Sequence, residues 1–82
     1  MARIASSRTR ARARALLEAI LATLDEDKRA VFVAYELESM AMADVAAALG
    51  CPVQTAYTRL HAAREHVSGA IERWKRKERI DR

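Results

Sequence analysis

The stretch Asp44-Val-Ala-Ala-Ala-Leu49-Gly-Cys-Pro52-Val-Gln-Thr-Ala-Tyr-Thr-Arg-Leu60 decides how this chain folds. Val45, Ala46 and Leu49 fall on one side of a helix that the spacing predicts from about Met42 to Leu49. Gly50 ends it, being the residue best able to take the left-handed conformation past a C-terminus. Pro52 suits the first turn of a following helix, where a missing N–H costs nothing. Beyond it Val53, Ala56, Leu60, Ala63, Val67, Ile71 and Trp74 recur at three and four residues, a stripe along one long helix. Two helices joined by so short a Gly-containing turn, with small Ala46 where the pair would cross, make the pattern of a helix-turn-helix. On spacing alone, a plain packing unit of two helices reads the same way.

Working outward, Leu16, Leu17, Ile20, Leu21 and Leu24 mark one face of an earlier amphipathic helix. Asp25 follows as a capping residue, with Glu26 and Asp27 favourable at the positive end of the next helix dipole. That second helix is expected to run to about Glu38 and is apolar nearly all round at Val31, Phe32, Val33 and Tyr35, so it should pack on more than one side. The chain has 82 residues, with two Gly and one Pro, too little punctuation for a hairpin-rich fold. The expected fold is all-α, a four-helix domain over residues 12–82 with a basic arm or linker over residues 1–11. Its third and fourth helices form the helix-turn-helix, and the fourth is a long C-terminal recognition helix.

Charge is partitioned along the chain: residues 1–24 carry five Arg against Glu18, residues 25–50 carry two bases against six acids, and residues 51–82 carry eight bases against four acids. A polyanion is drawn to the last third and secondarily to the first segment, while the acidic middle faces protein or water; solvated charged termini are the plain alternative. The Arg-rich, acid-poor start also resembles a transit peptide in composition. One cysteine, Cys51, cannot pair internally, and no apolar run approaches the roughly 18 residues of a membrane span, so a cytoplasmic location without membrane contact is expected. Catalysis is not expected. Cys51 lacks a base or orienting partner, and His61 and His66 lie five apart, about 140° round a helix, which cannot share a metal as a four-residue spacing can. No cofactor, metal or small-molecule substrate is implied.

The stretch from Leu24 through Arg29, Phe32 and Tyr35 to Glu38, then Asp44-Val-Ala46, Leu49-Gly-Cys-Pro52-Val-Gln-Thr55, and the closing Thr58-Arg-Leu-His-Ala-Ala-Arg64, resembles region 4 of bacterial RNA polymerase sigma factors. The likeness is nearest to the extracytoplasmic-function type and covers about residues 15–70. It implies promoter recognition in transcription initiation, with the last helix in the major groove of the minus-35 element of double-stranded promoter DNA. It further implies docking on the β-subunit flap of core RNA polymerase, and an anti-sigma factor as a further partner. LuxR-type regulators share the helix pair but usually lack the Arg-Leu-x-x-Ala-Arg ending. A free-standing helix-turn-helix regulator or a protein-interaction module, using the acidic second and third helices, is the alternative. No region 2 precedes the domain, so the chain is expected to be an excised fragment or a free-standing regulator.

At about 100° per residue, Val53, Ala56, Leu60, Ala63 and Val67 cluster on one side of the fourth helix, with Gln54, Thr55, Thr58, His61 and Ala62 opposite. Gln54 can bond adenine or a phosphate, Thr55 and Thr58 can bond phosphates or bases, and Arg59 on the flank suits guanine or a phosphate. With Tyr57 and His61 these form the candidate DNA-binding set; for each, a solvated side chain is the plain reading. Arg64 is expected to pair with Glu36 or Glu38, and Arg29 to have a packing and ion-pair role. Tyr57 and Ala62 stand where many relatives have Lys or Arg, so two phosphate contacts are missing. Ala41 stands where Ser or Thr usually caps the third helix, with Ser39 as a substitute from a shifted start.

Overall fold

The computed structural model describes residues 2–80, with the side chains of residues 9–78. Over that span, four helices and one π-helical turn run in order: α1 (Ala2–Leu21), α2 (Glu26–Phe32), the π turn (Val33–Leu37), α3 (Met42–Leu49) and α4 (Val53–Ile80). The fold is all-α, as expected. The basic segment, read as an arm or linker, is helical from residue 2 and continues into α1 without a break; the side chains of residues 1–8 lie outside the described set.

Each boundary has a local chemical cause. The Asp25 carboxylate accepts from the Lys28 amide at 2.9 Å and so caps α2. Gly50 sits at φ 69° and ψ 37°, its amide directed at Ala47 while the Cys51 amide bonds Ala46 at 3.0 Å. This is the Schellman arrangement, and it ends α3. A Cβ at position 50 would meet nothing within 4 Å, so backbone conformation alone demands glycine there. Pro52 stands just ahead of the first helical residue rather than within the first turn, and its carbonyl accepts from Ala56 at 3.0 Å.

The core is assembled from every helix: Ile20, Leu21 and Leu24, then Val31 and Phe32, then Met42, Val45 and Ala46, then Ala56, Leu60, Ala63 and Val67. Val31, Val45, Ala56 and Ala63 are fully buried. The small residues are placed where α3 and α4 run close, so larger side chains there would force the helices apart. Three residues expected in this stripe are not buried: Leu49, Val53 and Trp74 are exposed, the last by 44%. They hold the right helical phase, but no described element covers them.

Two other expectations change. The second helix is not regular to Glu38, because at Val33 it loosens into the π turn, with the Glu38 amide reaching the Val33 carbonyl at 2.9 Å and Met40 reaching Ala34 at 3.0 Å. The added residue rotates the chain beyond it, turning Tyr35 and Glu36 toward α4. Arg29 makes no ion pair among the described residues; its guanidinium donates to the carbonyls of Leu24 at 3.1 Å and Leu21 at 3.4 Å, closing the C-terminal end of α1. Ala41 precedes α3 in extended conformation and gives no side-chain cap. Ser39 does not replace it, being held at φ 58° before the helix begins.

Candidate DNA-binding surface

The first half of α4 is held from behind. Ala56, Leu60 and Ala63 face the core, against α2 and α3, and this fixes the helix rotation and so which side chains remain outside. Gln54, Thr58 and His61 are exposed on the uncovered side. The Thr58 hydroxyl donates to the Gln54 carbonyl at 3.1 Å, which leaves its oxygen lone pairs free to accept. Thr55 and Ala62, expected on the same side, are half-buried at its margin.

The two flanks differ. On one, Arg59 is 30% exposed and lies 3.8 Å from the Asp27 carboxylate of α2, in the first turn after the cap. On the other, Tyr57 is half exposed, and its ring meets Tyr35 edge-on with centroids 6.3 Å apart. Arg64 lies over the Tyr35 ring, 5.8 Å from its centroid, and pairs with Glu36, the partner expected from the sequence. His61 and Glu65 face each other at 3.4 Å one turn apart. The structure therefore brings Gln54, Thr58 and His61 together on one face, with Arg59 and Tyr57 at its two edges and Thr55 behind.

Glu65 is the member of this face that sequence reasoning missed. Its helical phase lies between Gln54 and Thr58, so the signal was present, but a search for groups that bind phosphate passes over an acid. His66 is turned away and meets the Thr23 hydroxyl at 2.7 Å. That hydroxyl donates to the Ile20 carbonyl at 2.6 Å, so it accepts from His66 and ties α4 to the end of α1. Among the described residues, no group of three or more His, Cys, Asp or Glu could hold a metal ion. No helix among them is long and apolar enough to cross a membrane.

A short helix, a glycine-closed turn and a long second helix with one polar side left open define a helix-turn-helix domain of the DNA-binding class. More narrowly, the chain belongs to the Sigma-70, region 4 family, whose model matches residues 14–67. It is therefore a sigma-factor DNA-binding domain of the transcription machinery, and the family is a binding family rather than a catalytic one. Comparison with curated proteins gives no match.

Proposed function

We propose that this domain reads the minus-35 promoter element, placing the first turns of α4 in the major groove while core RNA polymerase holds it from another side. The extracytoplasmic-function type and a cytoplasmic setting belong to this reading. The observation that carries it is the open polar side of α4 at Gln54, Thr58 and His61, backed by the rigid core contacts of Ala56, Leu60 and Ala63. A major groove is about 12 Å wide and admits one helix, and amide and hydroxyl groups are the types that bond base edges and phosphates there. Arg59 at the margin supplies a guanidinium to the backbone or to guanine once it leaves Asp27.

Docking on the polymerase, at the β-subunit flap, is supported by a second surface. An apolar groove between α1 and the π turn is lined by Ala13, Leu17, Leu21 and the exposed Leu37, with Arg14 and Glu18 at its rim. An anti-sigma factor would compete for the same kind of surface. The test is a mobility shift on promoter DNA with and without core polymerase, run beside Arg59→Ala. Arg59→Ala is expected to weaken binding by about 1–3 kcal/mol if the contact is to a base. A module that only captures protein leaves no footprint in either lane.

A further inference from the structure

His61 and Glu65 are both largely exposed on the uncovered side of α4, and the imidazole Nε2 lies 3.4 Å from a carboxylate oxygen. Among the described residues, no carboxylate other than that of Glu65 comes within ion-pair distance of His61. From the elements packed on α4, Asp27 of α2 is directed at Arg59 and Glu36 of the π turn at Arg64, one on each flank. Asp44 of α3 makes no ion pair with a described residue, and α1 and the turn after it offer Thr23 to His66 instead. On its own helix, the neighbours of His61 on the open face are the uncharged Gln54 and Thr58.

With Nε2–H given to Glu65, the neutral imidazole presents a bare Nδ1, which is an acceptor. The groups a DNA duplex offers to this face, phosphate oxygens and the guanine N7 and O6, are acceptors as well. The two meet poorly. One proton taken from solvent at Nδ1 turns that atom into a donor and makes the ring an imidazolium, held between Glu65 on one side and a DNA acceptor on the other. Resting on the DNA-reading function above, we propose that DNA binding by this face takes up one proton at His61, with Glu65 as the positioning residue that orients the ring. Acid strengthens binding, and the domain reports pH through the promoter contact itself.

The experiment uses a duplex selected from random DNA by this chain with core polymerase, followed by anisotropy titrations of the 82-residue chain at constant ionic strength between about pH 5.5 and 7.5, the range in which histidine titrates. Affinity is expected to rise about five- to tenfold toward the acid end. His61→Gln keeps a neutral hydrogen-bonding side chain and is expected to flatten the profile at the level the parent shows near pH 7.5. Glu65→Gln removes a like charge from the DNA-facing side, so it binds tighter at pH 7.5 and gains less on acidification. His66→Gln, off the face, keeps the parent's response. A parent that binds with the same affinity throughout the range overturns the proposal, as does a His61→Gln variant that responds like the parent. Failure to bind DNA at any pH, even with core polymerase present, instead overturns the DNA-reading function.

Discussion

Arg64 of α4 and Glu36 of the π turn form an ion pair across the two elements, and the same guanidinium covers the ring of Tyr35. The pair is the reason the π turn points where it does, since a regular helix would carry Glu36 off this line. Both partners retain solvent contact, so the bond is expected to stabilise the fold only modestly. A double-mutant cycle with Glu36→Ala and Arg64→Ala should give a coupling of about 0.2–1 kcal/mol in denaturant unfolding. Coupling well above that range would mean the pair carries the π turn rather than trimming it.

Ala41 offers a direct gain in stability. Its backbone, at φ −64° and ψ 142°, already has the extended conformation of an N-cap, and no side-chain oxygen meets the first amides of α3. Ala41→Thr is expected to add about 0.5–2 kcal/mol, read as a raised melting temperature, with target choice unchanged. No gain would mean that solvent already serves those amides equally well.

Asp25 gives the acid limb of the stability curve a named contributor. The Lys28 amide, and then the Lys28 side chain 3.1 Å away, hold its carboxyl below the ordinary carboxylate range. A group depressed in the folded state contributes fully above its unfolded value, about 3.9, and loses that contribution as pH falls through the lower folded value. Asp25→Ala should therefore melt below the parent at neutral pH, with the gap closing below about pH 4. Melting curves recorded across that window decide it, and a gap independent of pH would remove the carboxylate from the account.

Free-standing affinity should be low. Arg59 and Arg64 are engaged with carboxylates, Tyr57 and Ala62 bring no charge, and Glu65 opposes phosphate. The exposed cluster Arg73, Lys75, Arg76 and Lys77 lies more than three turns beyond His61. A salt titration of the isolated chain is expected to place Kd at micromolar or weaker at physiological salt, near the non-specific range of about 10⁻⁴–10⁻⁶ M. Tethered to polymerase, the same contact works at an effective concentration near millimolar. Nanomolar, sequence-selective binding by the chain alone would favour a free-standing regulator.

What could be read from the sequence is what the backbone decides locally. The Asp25 cap, the Gly50 stop and the bounds of α3 depend on groups within one turn of themselves, and the sequence places them correctly. The π turn was hidden because its cause is distant: Tyr35 and Glu36 answer to Tyr57 and Arg64, more than twenty residues on. Leu49, Val53 and Trp74 show a second limit, since periodicity names a side of a helix but not whether anything lies against it. Arg29 shows a third. A guanidinium next to acids suggests an ion pair, and here the open carbonyls at the end of α1 won it instead.

The unbroken length of α4, 28 residues, has a mechanical consequence. Such a rod is about 42 Å long, and only its first two or three turns fit the width of a major groove. The remainder is a handle. Because a helix is stiff over this span, a tilt of about 5° imposed at the far end moves the reading end by roughly 3.5 Å, close to one base-pair step. Whatever grips the region near Trp74, where the handle borders Arg12, Ala13 and Leu16 of α1, thus sets the register in which Gln54 and Thr58 meet the bases.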